Sequence, residues 1–398
     1  MALMKIEERS GPAAPTAYAG LPLLALGFRP FYLAAAAFAA LSIPLWLAVY
    51  YGLISAAGIG LLWHMHEMVF GFVLAVVIGF LYTAGRNWTG LWTPRGPALA
   101  ALVALWLAGR LAMLAPVSVW SAALEWLFLP LATWPLYRVL ARSGNRRNMV
   151  LVVVLALLSC ANLCFHAAQL GWLDIAAVRP IYAALIMIVV IEAIIGGRII
   201  PNFTANAVPG TKPVQHAALD RASMLLTVLA GLAWAVEVAA APAAALAFGA
   251  ALLQATRLLL WQPLVSRRLP LLWILHLSYA WIPAGFAALA LAHLGVLPVS
   301  SAVHLLGVGG MGGLIIGMMT RTALGHTGRL LKAGPAETSM YVAIQAGVLA
   351  RLCAGLTGGA WRDALLILAG IGWSAAFLLY ILAYASRLAQ PRIDGREG

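Results

Sequence analysis

Runs of about 20 apolar residues recur from one end of this chain to the other, and such runs are long enough to cross a bilayer as helices. Inside lipid each backbone N–H and C=O must be satisfied within the protein, and for isolated 20-residue runs the α-helix does this. Twelve spans are expected, at 30–52, 61–84, 97–114, 117–140, 148–170, 177–197, 219–240, 242–262, 271–293, 299–320, 339–357 and 364–386. Hydrophobic residues are 64% of the chain and charged residues 9%, far from the mix of a soluble domain. The expected fold is all-α: a polytopic helix bundle with a polar segment 1–24, one transmembrane domain 25–388 and a tail 389–398. The first 24 residues have no compact apolar core and cleavage site, so a signal peptide is not expected.

A net charge of +13 at first suggests a nucleic-acid partner, but its distribution points elsewhere. With the N-terminus placed in the cytoplasm, 21 of the 25 Lys and Arg residues fall in the N-terminal segment, the even-numbered turns or the tail. Arg110, Arg179, Arg351 and Arg362 are the exceptions. A bias of this size reads as the positive-inside rule, with both termini cytoplasmic and an even number of spans. The basic charge is a topology signal, and no nucleic-acid partner is expected.

Six of the eight histidines, His64, His66, His166, His276, His304 and His326, lie within or at the ends of apolar spans. Ionisable groups there cost roughly 2 kcal/mol or more unless paired, hydrated or bound, so together they indicate an intramembrane metal or cofactor site. Topology sorts them by depth. His64, His66, His166 and His304 sit toward the outer face; His276 and His326 sit toward the inner face. His304 and His326 are about 33 Å apart if helical, too far to share one ion. In Trp63-His64-Met65-His66-Glu67-Met68, residues two apart point about 200° away from one another on a helix. His64 and His66 therefore serve two centres, or the helix begins irregularly. Glu67 is three residues from His64, close enough to orient its imidazole or carry protons. The plainer alternative is interfacial histidines at a wet helix end beside a belt tryptophan.

The remaining histidines are individually weaker. His276 can simply bond Tyr279 or a carbonyl, and His326 lies in a turn. Arg29, Arg198 and Arg321 flank these positions and suit the propionates of a buried haem, although positive-inside anchoring accounts for them equally. Cys160, Cys164 and Cys353 make no disulfide framework; a small inert role is the plain reading, a soft metal ligand the alternative. There is no Cys-x-x-Cys-His for covalent haem and no phosphate-binding Gly-rich loop.

The second and tenth spans align without a gap at an offset of 238 residues. His66 falls on His304, Gly71 on Gly309, Gly79 on Gly317, Thr89 on Thr327 and Gly90 on Gly328. Ala75 falls on Gly313, which leaves a stripe of small residues along each helix where a helix or flat macrocycle can approach closely. Arg198 precedes Thr204 by the six residues that separate Arg321 from Thr327. A threefold repeat of four-helix units accounts for this pattern.

The runs Leu26-Gly27-Phe28-Arg29-Pro30-Phe31, Trp63–Met68, Gly197-Arg198-Ile199-Ile200-Pro201-Asn202-Phe203-Thr204, His276–Trp281 and His304–Arg321, with Gly325-His326-Thr327-Gly328-Arg329, resemble the NnrS family in order and spacing. The resemblance implies a multi-pass bacterial inner-membrane protein that binds haem b and copper and takes part in the nitric oxide response. It implies nitric oxide as ligand or substrate, with reduction to nitrous oxide as the reaction if the protein is an enzyme. In that case Glu67 delivers protons, an inner haem on His276 and His326 relays electrons, and a membrane donor such as quinol supplies them. Two rivals stand beside this: a secondary transporter using intramembrane histidines, and a b-type electron-transfer cytochrome without copper.

Overall fold

The computed structural model describes residues 18–397; residues 1–17, with Lys5 and Arg9 of the polar segment, and Gly398 of the tail lie outside the described residues. All regular structure among the described residues is helical. The helices are α1 (Phe28–Tyr50), α2 (Leu61–Thr89), α3 (Pro97–Ala112), α4 (Val119–Trp126), α5 (Phe128–Arg142), α6 (Met149–Gln169) and α7 (Val178–Ala207). They continue with α8 (Ala217–Ala235), α9 (Ala240–Leu260), α10 (Pro270–His293), α11 (Val299–His326), α12 (Pro335–Leu356) and α13 (Gly359–Ala389).

Ten helices among the described residues are long and apolar enough to cross a membrane. The other two expected spans fall on α3, which has 16 residues, and on the pair α4 and α5. That pair breaks after Trp126 because Pro130 has no N–H to bond the Trp126 carbonyl. Helix α7 runs ten residues past its expected end, carrying Gly196, Gly197 and Arg198 inside it.

Helices adjacent in sequence pack as hairpins, α8 on α9, α9 on α10 and α12 on α13, and α13 returns to α1. Leu382, Leu259 and Trp120 are among the exposed apolar side chains, as a lipid-facing surface requires. The core lies around α2 and α11, whose apolar windows are 78% and 72% buried, against 28% for α1 and 33% for α13. The two most enclosed helices are thus the two that carry His64, His66 and His304.

These two helices share an unusual course. Each begins as α-helix (Leu61–His66 and Val299–His304), widens to π-helix (Glu67–Val73 and Leu305–Gly312), then returns to α-helix. Each widening starts at the same place once the offset of 238 residues is applied. Each helix also ends alike. Thr89 and Thr327 hydroxyls donate to carbonyls four residues back, and Gly90 and Gly328 follow with φ of +69° and +78°, a left-handed stop that favours glycine. Helix α7 is α-helical throughout, so the closest likeness holds between α2 and α11. π-Helical turns cost hydrogen-bond geometry and gather at functional sites.

Candidate functional site

The α-helical turn Leu61–His66 puts its two histidines on different faces, and each meets a histidine from another helix. His64 and His304 face one another with ring centres 6.4 Å apart and planes 20° apart. The His66 and His166 ring centres are 5.3 Å apart. His64, His66, His166 and His304 thus form two pairs, separated by the body of α2.

The first pair borders a cavity of about 430 Å³ between α1, α2, α7, α11, α12 and α13. Its walls are mostly apolar, including Met65, Met68, Phe72 and Trp373, and its size suits a bound organic group. His304 Nδ1 lies 2.7 Å from the Ser300 carbonyl oxygen. A carbonyl only accepts, so Nδ1 carries the proton and Nε2 keeps a free lone pair. Metal-ligating histidines are commonly oriented in this way. His64 stacks on Trp46 with ring centres 5.4 Å apart and planes within 5°, and its buried Nδ1 has no partner. Two imidazoles on one iron, with bonds of about 2 Å, place their ring centres roughly 6 Å apart, so the observed separation fits. Gly307 opens the wall further: a Cβ there would meet nothing within 4 Å. Arg351 and Arg362 also line the cavity.

The second pair sits in a buried ionic cluster. His66 Nδ1 is 2.9 Å from Glu67 Oε1, and its Nε2 is 2.9 Å from Asn162 Oδ1 and 3.6 Å from Glu125 Oε2. His166 Nε2 is 2.9 Å from the same Glu125 oxygen, which also accepts from Asn162 Nδ2 at 2.8 Å. Arg110 donates to both oxygens of Glu67, at 2.8 and 2.9 Å, and to Glu125. Gly71 leaves room for this guanidinium, since a Cβ there would lie 2.4 Å from Arg110 Nη1. The side chains are almost fully enclosed (His66 0%, Glu67 0%, Arg110 3%, Glu125 2%, His166 5%). Burying charges at this depth is costly without mutual pairing, and here each carboxylate faces a cation.

His66, Glu125 and His166 each offer one ligand atom, all within 4.8 Å of one another. Ligands on one ion at about 2 Å sit roughly 3–3.5 Å apart, close to the separations at Glu125 Oε2. The Glu67–His66 bond matches the carboxylate that orients a metal-bound imidazole. Two imidazoles and a carboxylate suit a divalent transition metal. Glu67 thus orients His66 with Arg110 behind it, in place of the expected pairing with His64.

His276 and His326 have separate neighbours. His276 Nε2 is 2.8 Å from the Thr204 hydroxyl, and its buried Nδ1 has no partner. The His326 ring packs against Phe28 with centres 5.6 Å apart. Arg29 donates to the carbonyls of Leu388 and Gln390, tying α1 to the end of α13. Arg198 donates to Asn148 Oδ1, and Arg321 lies 3.8 Å over the Phe203 ring. Cys160 and Cys353 are exposed and all three cysteines are free. The small-residue stripe of α11 meets α10: Cβ atoms at Gly309 and Gly313 would strike Trp281 and Ser278.

Several site residues were not singled out in the sequence: Arg110, Glu125, Asn162, Trp46, Arg351 and Arg362. A signal for four of them was present. Of the four arginines that break the positive-inside pattern, Arg110 is in the ionic cluster, Arg351 and Arg362 line the cavity, and Arg179 pairs with Glu237. Asn162 lies one helical turn before His166, on the same face.

No curated protein sequence matches the chain. The family model described as NnrS protein matches residues 22–392, a range that includes both histidine pairs, the acidic cluster and every arginine of the cavity. The chain belongs to the NnrS family.

Proposed function

We propose that this protein is a bacterial inner-membrane metalloprotein of the nitric oxide response, holding haem b between His64 and His304 and copper at His66, Glu125 and His166. The observation that carries the reading is the division of His64 and His66 onto opposite sides of α2, each meeting a second histidine. The positive-inside charge pattern supports the placement in the inner membrane.

The chain's own residues have definable tasks. His304 is held toward the cavity by its bond to Ser300. Trp46 holds the His64 ring flat. Arg351 and Arg362 supply two cations on a mostly apolar wall, matching the carboxylates of a haem edge. In the second site Glu67 and Arg110 set the angle of His66, and Asn162 holds Glu125. Haem would supply the iron that binds nitric oxide, a small neutral gas that enters an intramembrane cavity without a polar channel.

The two sites do not share a space. A helix with its side chains is about 10 Å across, whereas paired metals that act on one substrate lie roughly 3.5–4 Å apart. Binding and sequestration of nitric oxide, rather than its reductive coupling between haem and copper, is the activity this geometry favours. A second reading rests on the same imidazoles: two histidines that would both hold one haem would suit a b-type electron-transfer cytochrome.

The deciding experiment is a reduced-minus-oxidised absorption spectrum of the purified protein, repeated with nitric oxide and paired with iron and copper analysis. A b-type spectrum altered by nitric oxide, with copper present, is expected. A spectrum unchanged by nitric oxide would leave the cytochrome reading, and a colourless, metal-free protein after expression with ample haem and copper would overturn both.

A further inference from the structure

One buried indole in the bundle lacks a partner. Trp106, Trp126, Trp281 and Trp373 each donate their N–H to an oxygen, as buried tryptophans usually do. Trp63 is 4% exposed, and its buried Nε1 has no hydrogen-bond partner. Trp63 borders a second cavity, of about 40 Å³, more than the roughly 10–15 Å³ that a single water needs. An orphaned donor thus adjoins room for one small ligand.

This cavity lies between two loops and the ionic cluster. Gly58, Ala115 and Val117 border it from the loops, where the α1–α2 and α3–α4 connections touch: a Cβ on Gly58 would lie 2.3 Å from the Leu114 carbonyl oxygen. Phe165 and His166 bring it against the cluster. The Phe165 ring stacks on His66 with centres 4.5 Å apart, and His166 Nε2 faces Glu125. Trp63 is itself one helical turn from His66 and Glu67 along α2. Among the described residues the lining includes the Gln169 amide and the Trp63 indole but no carboxylate.

The charges of the cluster do not balance once a divalent ion is in place. Glu67 and Glu125 are two carboxylates that share one guanidinium, Arg110, and ligating histidines are neutral. A divalent ion therefore leaves one positive charge in excess, in an interior where an uncompensated charge is costly. With a monovalent ion the same cluster is neutral.

We propose that the cavity beside Trp63 is a small-anion site, taking one monoanion that accepts the indole N–H and offsets the excess charge of the metal-loaded cluster. This rests on the reading of His66, Glu125 and His166 as a metal site. The volume requires a small ligand, the indole requires an acceptor, and the charge count requires a single negative charge. Hydroxide, halide and azide meet all three conditions. Occupancy follows the charge of the metal: the anion enters with the divalent ion and leaves with the monovalent one.

Azide is the probe, read by the infrared stretch of the bound ion on full-length, copper-loaded protein in lipid after metal analysis. One azide per divalent copper is expected, and none on metal-free protein. Trp63→Phe removes the N–H and keeps a ring. It should weaken azide binding by about 10-fold or more, the scale of a hydrogen bond to a charged group, with copper content unchanged. Reducing the copper to its monovalent state with ascorbate should expel the azide. No azide on the loaded wild type, equal affinity in Trp63→Phe, or azide held by metal-free or reduced protein would each overturn the proposal. The metal-free and reduced comparisons need only the wild-type chain, so they decide the matter even where Trp63→Phe does not fold. Copper absent from the wild type, or unchanged by His166→Ala and Glu125→Gln, would instead overturn the metal reading on which the proposal rests.

Discussion

His304 and His64 face each other across 6.4 Å, yet they are held unequally. His304 is locked by its Nδ1–H bond to the Ser300 carbonyl, whereas His64 Nδ1 has no hydrogen bond and its ring is restrained only by stacking on Trp46. Loss of an orienting partner typically costs about 10–100-fold in metal affinity, so of the two proposed haem ligands His64 is the more easily displaced. Replacing His304 with Ala should remove most haem. Replacing His64 with Ala should leave a high-spin protein that still binds haem and takes up carbon monoxide faster than wild type. Equal haem loss in the two variants would contradict this asymmetry; haem titration and stopped-flow absorption measure it.

The two proposed sites should separate genetically. His166→Ala and Glu125→Gln are expected to lower copper by about 10-fold or more while leaving haem unchanged. His64→Ala is expected to leave copper unchanged. Metal analysis beside the absorption spectrum reads both, and a joint loss of haem and copper in each variant would mean one shared site.

Arg110 tests the ionic cluster. Removing it leaves Glu67 and Glu125 buried without their common cation, at a cost of about 3–5 kcal/mol. Arg110→Met should lower the thermal unfolding temperature in detergent, and adding Glu67→Gln should recover part of the loss. A melting curve for Arg110→Met that overlays the wild type would show that the cluster is not stabilised in this way.

The cavity can be filled from one position without disturbing the fold. Gly307→Leu places its side chain in open space, so it should exclude haem and spare copper. Gly309→Leu instead drives a Cβ to 2.5 Å from Trp281 and should lower the yield of folded protein. Full haem occupancy in Gly307→Leu would exclude this cavity as the haem site.

The cavity arginines are distinguishable from the others. Charge-assisted bonds contribute about 1.5–3 kcal/mol, so Arg351→Gln or Arg362→Gln should weaken haem retention by about 10-fold or more. Arg198→Gln and Arg321→Gln, whose side chains engage Asn148 and Phe203, should retain haem as wild type does. The opposite pattern would return the propionate role to the positions suggested by motif spacing.

Much of this was already legible in the sequence. Long apolar runs dictate helices because lipid offers the backbone no other partner. The 238-residue offset paired α2 with α11, and the two helices widen and stop at matching positions. Helical periodicity alone set His64 and His66 on different faces. What local pattern leaves open is which distant groups meet. Glu67 finds Arg110 on α3, His66 finds His166 on α6, and His64 finds His304 on α11 only once the helices pack. Charge bias marked Arg110, Arg351 and Arg362 as exceptions, but their pairing with buried carboxylates or a cavity wall depends on side chains brought together across the bundle. Spacing along one helix is a property of the chain; proximity between helices is a property of the packed fold.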